Sequence, residues 1–95
     1  MIERINILLS IQRALLGYVI PCLRCVTASW TKDTIKIIYY YDGQISEEDF
    51  DILDSSTAEI SADFIDYKCD IKILRLDAPN KIPYLEGTAF KRFEK

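Results

Sequence analysis

The side chains best suited to chemistry or binding lie in one stretch, YYYDGQISEEDFD, from Tyr39 to Asp51. Three tyrosines lead into an Asp-Gly turn and then into a run of acids. Carboxylates can hold a divalent cation, transfer protons or attract a basic partner, and tyrosines offer aromatic area with a hydrogen-bonding tip. Three readings are therefore open: a catalytic or metal site, a surface for a basic partner, or a strand end followed by a solvated helix start.

The sequence offers few of the side chains that enzymes commonly use for catalysis. The chain contains no histidine, which removes the commonest general base. The EF-hand spacing of calcium ligands is absent, as are the nucleophile-elbow, phosphate-loop and dinucleotide-binding motifs. We expect a protein that is not an enzyme and uses no cofactor. A small carboxylate-dependent hydrolase is the enzymatic alternative, although a domain with a single tryptophan offers little room for a sugar cleft.

The three cysteines are Cys22, Cys25 and Cys69, the first two as a C-x-x-C. Zinc requires four ligands, and one further cysteine without any histidine does not complete the set. The start, MIERINILLS, lacks the features of a secretory signal, and an odd number of cysteines argues against a disulfide framework. We predict that the cysteines bind no metal and form no disulfide. No apolar run reaches the roughly 20 residues of a membrane span, so we expect a cytoplasmic protein.

Charge is strongly segregated along the chain. Residues 42–70 contain ten acids and one base, Lys68, whereas the segments 1–41 and 71–95 each carry a net charge of +3. The predicted second helix has neither lysine nor arginine, although solvated helices usually intersperse them for pairing. A dominant negative patch disfavours direct nucleic-acid binding and favours a basic protein partner.

The composition predicts one domain over residues 1–95 with short connections, because 49% of residues are apolar and glycine and proline number three each. A first helix is predicted over residues 3–19. Its polar stripe is Glu3, Asn6, Ser10, Arg13 and Gly17, and its buried face is Ile5, Leu8, Leu9, Leu15, Leu16 and Val19.

Two strands follow, LRCVTASW (23–30) and TIKIIYYY (34–41), joined as an antiparallel hairpin by TKD. Alternate residues of a strand point to opposite faces. Tyr39 and Tyr41 are therefore predicted beside the core, and Tyr40 shares the other face with Lys36. That placement makes Tyr40 the preferred aromatic contact for a partner.

A second helix is predicted from the N-cap Ser46 to about Phe64, with acids in its first turn that complement the helix dipole. Its expected buried stripe is Phe50, Leu53, Thr57, Ile60 and Phe64. Strands over 67–77 and 88–94 complete the order α-β-β-α-β-β. The fold class is α+β, with two helices packed on one face of a mainly antiparallel four-stranded sheet. The helix between the second and third strands permits either a parallel neighbour or an antiparallel strand at the other edge.

The predicted partner-binding residues lie between the end of the second strand and the middle of the second helix. They are Tyr40, Asp42, Glu47, Glu48, Asp51 and Asp54. The alternative docking surface is the basic tail with Lys91, Arg92 and Lys95.

Several fragments together resemble a known family. They are LLGYVIPCLRCVTASW (15–30), YYYDGQISEEDFDIL (39–53), AEISADF (58–64), LRLDAP (74–79) and the terminal FKRFEK. In this order, over nearly the whole chain, they resemble immunity proteins of contact-dependent growth inhibition, which are encoded beside a polymorphic toxin. Cys25 stands where the family pattern has a small residue such as alanine.

The resemblance implies a function. Such a protein binds the C-terminal domain of its cognate toxin in the cytoplasm of the producing cell and blocks it. These toxins are often nucleases with basic substrate clefts, so the acids and tyrosines would stand in for a nucleic acid. The alternative is a general protein-interaction module or homodimeric subunit that has no toxin partner.

Overall fold

The computed structural model describes residues 4–94 of the chain. The elements are α1 (Arg4–Leu15), β1 (Leu23–Trp30), β2 (Thr34–Tyr41), α2 (Glu47–Asp63), β3 (Lys68–Arg75) and β4 (Gly87–Lys91). The predicted order α-β-β-α-β-β is confirmed. Helix α1 ends four residues before the predicted end, in a turn where Gly17 has a φ of +83°. Of the predicted polar stripe, Glu3 lies outside the described residues.

The four strands form one mixed sheet in the order β3-β2-β1-β4. Strand β1 pairs antiparallel with both β2 and β4, whereas β2 and β3 are parallel. Of the two placements that the sequence left open for the third strand, the parallel neighbour is the observed one. Parallel neighbours require a long crossover connection, and α2 with its flanking turns supplies it.

Both helices pack on the same face of the sheet, as predicted. The main core cluster joins Ile7 and Ile11 of α1 to Leu53 and Ile60 of α2, above Tyr39 and the other inward residues of β1 and β2. All five of these side chains are fully buried. No helix among residues 4–94 has the length and apolar character needed to cross a membrane.

The predicted orientation of α1 is correct only in part, since Leu15 is buried and Asn6 and Arg13 are exposed as predicted, whereas other positions differ. Ser10, assigned to the polar stripe, is buried, and its hydroxyl donates to Asp63 of α2 at 2.5 Å. Leu9, Leu16 and Val19, assigned to the buried face, are half or more exposed. The helix has apolar residues on more than one side, so its periodicity alone does not choose a face. Contact with both α2 and β4 selects the side that carries Ile7 and Ile11.

The other face of the sheet is partly covered by the chain between β3 and β4. Ile82 of this connection packs on Cys25, Ile38 and Tyr40 in a second core cluster, with Leu76 and Leu85 at its margin. The Thr27 hydroxyl accepts from the Leu85 amide at 2.9 Å and donates to the Gly87 carbonyl at 3.0 Å. The connection between β3 and β4 is therefore a cover for this face of the sheet.

Candidate functional site

The Asp42-Gly43 turn after β2 is held by residues distant in sequence. Gly43 adopts a φ of +75°, and its amide donates to the Asp77 carboxylate at 2.7 Å. The Asp42 carboxylate accepts from the Ala78 amide at 3.2 Å and from the Arg92 guanidinium at 3.2 Å. These hydrogen bonds therefore fix the direction in which the chain leaves β2 and enters α2.

The start of α2 follows the sequence prediction. Ser46 is the N-cap, and its hydroxyl accepts from the Asp49 amide at 3.0 Å. Glu47, Glu48 and Asp49 occupy the first turn, where their charges complement the positive end of the helix dipole. Cap and dipole together account for the position of these acids without any ligand.

A shallow depression of about 520 Å³ lies beside this helix start. Its lining is Ile45, Ser46, Glu47, Phe50 and Asp51. The prediction that Phe50 belongs to the core is wrong, because 38% of the residue is exposed. Leu53, Ile60 and Phe64 of the same predicted stripe are buried. The depression therefore combines an exposed aromatic ring with two carboxylates.

The acids predicted as partner contacts divide into two groups. Glu47, Glu48, Asp51 and Asp54 are exposed. Glu47, Asp51 and Asp54 follow one another in steps of four and three, which places them on the same side of the helix. Asp42 differs, since it forms an ion pair with Arg92 and its side chain is 31% exposed. Its charge is compensated within the protein.

Tyr40 does not lie with these acids. It is 5% exposed and packs in the second core cluster against Ile82. Burial raises the pKa of its hydroxyl. The partner contact through Tyr40 stays a prediction, and in this structure the connection between β3 and β4 covers the strand face that carries Tyr40.

The basic tail is bound to the rest of the protein through Arg92 and Glu94. Arg92 contacts the Pro21 carbonyl at 3.0 Å as well as Asp42 and Glu94. Glu94 in turn binds Arg24, and these bonds lower the pKa of Glu94 to about 2. Arg92 is therefore part of the scaffold beside the Asp-Gly turn, while Lys95 lies outside the described residues.

The two cysteines of the C-x-x-C do not converge. Cys22 packs against the main core cluster, whereas Cys25 is fully buried in the second cluster. Burial raises the pKa of the Cys25 thiol to about 11, which disfavours the reactive thiolate. Among residues 4–94, no group of three histidine, cysteine or acidic side chains is arranged to hold a metal ion.

The sequence profile of the MafI2 immunity protein family matches residues 4–94. This chain belongs to the MafI2 immunity protein family. The match confirms the resemblance to immunity proteins of polymorphic toxin systems and gives the chain a role in toxin immunity, with a cognate toxin as partner. Contact-dependent growth inhibition as the delivery system stays a prediction. No curated protein is significantly similar to the chain.

Within this MafI2 family member, the fragments that carry the resemblance meet in space. Asp42 and Gly43 of the YYYDG fragment bind Asp77 and Ala78 of LRLDAP, and Arg92 of the terminal fragment binds Asp42. These hydrogen bonds hold the turn that leads into the start of α2. Phe50 is the site residue that sequence reasoning missed. The signal available was its place between Glu47 and Asp51, on the acidic side of the helix.

Proposed function

We propose that this protein is a non-enzymatic inhibitor that binds its cognate toxin domain through the acidic start of α2, in the cytoplasm of the producing cell. The toxin is a nuclease, and the acids occlude its basic substrate cleft. The observation that carries the proposal is the depression beside Phe50, which is flanked by the exposed carboxylates of Glu47 and Asp51.

The chemistry of this surface resembles that of a nucleic acid. A nuclease cleft holds phosphates with lysine and arginine side chains and stacks bases on flat groups. Glu47, Asp51 and Asp54 offer anionic oxygens to such a cleft, and Phe50 offers a partly exposed ring. The depression has room for one or two long basic side chains from the partner.

The charge around the site supports fast association. Residues 47–63 of α2 contain no lysine or arginine, so no base on the helix offsets the field of its acids. Complementary fields mainly steer encounter and raise the association rate, and salt screens this effect. An immunity protein must capture its toxin before damage occurs, which such steering favours.

The experiment uses the cognate toxin domain and the double variant Glu47→Lys/Asp51→Lys. Association rates are measured over a salt series, together with thermal melts and inhibition of toxin activity. We expect slower association with a flatter salt dependence, weaker inhibition and an unchanged or slightly raised melting temperature. The decrease in repulsion among the acids should offset the favourable interaction with the helix dipole that Glu47 loses.

The matched control is Glu59→Lys/Asp66→Lys, which makes the same charge change at exposed positions near the other end of α2. We expect it to alter association much less. Equal effects of the two double variants would show that only net charge matters, and an unchanged rate in the first variant would place the toxin elsewhere. A toxin domain without nuclease activity would contradict the proposed target.

A further inference from the structure

Strand β3 forms one edge of the sheet. Its hydrogen bonds to β2 show which of its backbone amides and carbonyls remain available to a partner. The Lys68 amide donates to the Asp33 carbonyl at 2.9 Å, and the Leu76 amide donates to the Tyr41 carbonyl at 2.8 Å. The register between β2 and β3 runs without a shift from one end to the other. Even-numbered residues therefore bond to β2, and the outward amides and carbonyls belong to Cys69, Ile71, Ile73 and Arg75.

The two edges of the sheet differ. Strand β4 has five residues, and the Gln12 amide of α1 donates to its Ala89 carbonyl at 3.2 Å. Strand β3 has eight residues, and no segment within the described chain 4–94 pairs with its outer side. An open edge of this length is a template for another strand.

The side chains of β3 form two different rows. Cys69, Ile71 and Ile73 are half-buried and pack against the main core cluster. Lys68, Asp70 and Lys72 alternate with them and point to the other face of the sheet. A base, an acid and a base therefore follow one another along one face of the open edge.

We propose that the occupant of this edge is a second copy of the chain, and that the two β3 strands pair antiparallel about a two-fold axis at Ile71. In this register, Ile71 lies opposite Ile71 and Cys69 lies opposite Ile73 of the second copy. Asp70 lies opposite Lys72 of the second copy, and the symmetry generates this ion pair twice. The two sheets join into one continuous sheet.

The charges and the length of overlap select this register among those that the backbone permits. Antiparallel bonding requires outward-facing residues opposite outward-facing residues, which any centre on a single residue of β3 satisfies. A centre on Cys69 would pair only residues 68–70 of the two strands, whereas a centre on Ile71 pairs residues 68–74. A shift centred on Asp70 would put Asp70 opposite Asp70 and Lys68 opposite Lys72. A shift centred on Lys72 would put two copies of Lys72 face to face. Like charges directly opposite one another destabilise a strand pair, whereas opposite charges stabilise it.

Lysines on an edge strand commonly prevent strand addition. Here an acid lies between the two lysines. The charges that disfavour registers centred on Asp70 or Lys72 therefore form two ion pairs in the register centred on Ile71. The interface is isologous, as in most homodimers, because each copy presents the same strand to the other.

The surface of α2 beside this edge is compatible with a close approach of two copies. Ser61 of α2 lies near Cys69 of β3. Steps of four and three from Ser61 lead along the same side of the helix to Thr57, Asp54 and Phe50. Of these four side chains, only Asp54 is charged, so the middle of the helix does not present a row of acids to the second copy.

The test is the mass of the protein in solution, measured by sedimentation over concentrations up to the millimolar range. We expect a reversible dimer for the natural chain and a monomer for Asp70→Lys and for Lys72→Asp. The double variant Asp70→Lys/Lys72→Asp restores opposite charges and should dimerise again. Ile71→Pro removes an outward amide without removing a bond to β2, so it should be a folded monomer.

A natural chain that stays monomeric at every concentration would overturn the proposal. So would a dimer that persists in both single variants, or a double variant that remains monomeric although its circular dichroism is native. If the natural chain is monomeric and Ile71→Pro abolishes toxin binding, the edge belongs to a strand of the toxin and not to a second copy.

Discussion

Glu94 holds the guanidinium of Arg24 with two parallel hydrogen bonds, from Nε to Oε2 at 2.8 Å and from Nη2 to Oε1 at 2.9 Å. A third bond runs from Arg24 Nη1 to the Leu76 carbonyl at 2.8 Å. The Arg24 side chain is 3% exposed, so these partners replace the water that would otherwise stabilise the charge of its guanidinium. The C-terminal segment thus closes over β1, and Arg92 of the same segment reaches the Asp42 turn.

Glu94→Gln should lower the free energy of unfolding by about 1–3 kcal/mol, because a buried guanidinium loses its anionic partner. Chemical denaturation at neutral pH measures the loss. Glu86→Gln removes an acid at an exposed position and serves as the control, with little change expected. Equal stability of Glu94→Gln and the natural protein would mean that the ion pair does not form in solution.

The contribution of Glu94 should also depend on pH. Its pKa in the folded protein is lowered to about 2 from an ordinary value of 4.5, chiefly by the hydrogen bonds from Arg24. A lowered folded pKa gives stability that is present above pH 4.5 and is lost as the pH falls towards 2. The difference in unfolding free energy between the natural protein and Glu94→Gln should therefore shrink over that window. A constant difference across it would contradict the assignment.

The variants Asp42→Asn and Asp51→Asn should distinguish an acid that holds the Asp-Gly turn from an acid that contacts the toxin. Asp42 is held by Arg92 and by the Ala78 amide and does not line the depression beside Phe50. Its neutralisation should therefore slow association less than that of Asp51 and cost at most about 1 kcal/mol of stability. Asp51 is exposed, so its neutralisation should slow association and leave stability unchanged. Association kinetics and thermal melts of both variants provide the comparison. A larger kinetic effect at Asp42 would reverse the two roles.

Phe64→Ala and Phe50→Ala make the same chemical change in two environments. Phe64 is buried and packs edge-to-face on Tyr67, with ring centroids 6.2 Å apart, so its loss should cost about 3–5 kcal/mol. Phe50 is partly exposed, so its removal should cost much less stability and weaken toxin binding. Denaturation curves and binding titrations test both. Loss of binding without loss of stability at Phe64 would show that the stripe faces outward.

Tyr39 and Ser56 form a buried polar contact between β2 and α2. Their hydroxyl oxygens are 2.6 Å apart, and the Ser56 hydroxyl donates to the Leu53 carbonyl at 2.7 Å. Tyr39 therefore donates to Ser56. Ser56→Ala leaves the Tyr39 hydroxyl buried without its acceptor and should cost about 1–3 kcal/mol. The double variant with Tyr39→Phe should recover part of this cost, as a double-mutant cycle in denaturant would measure. Strict additivity would argue against the bond.

Local signals in the sequence predicted local structure. The N-cap Ser46, the Asp-Gly turn and the β-branched runs of β1 and β2 depend on backbone preferences within a few residues, and these elements lie where the sequence placed them. The family was also recognisable, because its fragments occur in order along nearly the whole chain.

The tertiary structure alone decided which faces are covered. Ser10 is buried by α2, Tyr40 is buried by the connection that carries Ile82, and Phe50 stays partly exposed near the start of α2. Periodicity shows which residues share a face, but burial of that face depends on elements distant in sequence. The position of β3, parallel to β2, was likewise decided by tertiary structure. A crossover helix allows the third strand to lie at either edge of the sheet, and only the packing of α2 on the sheet determines which edge it takes. The role of Asp42 in holding the Asp-Gly turn likewise depends on Arg92, which lies 50 positions away in the sequence.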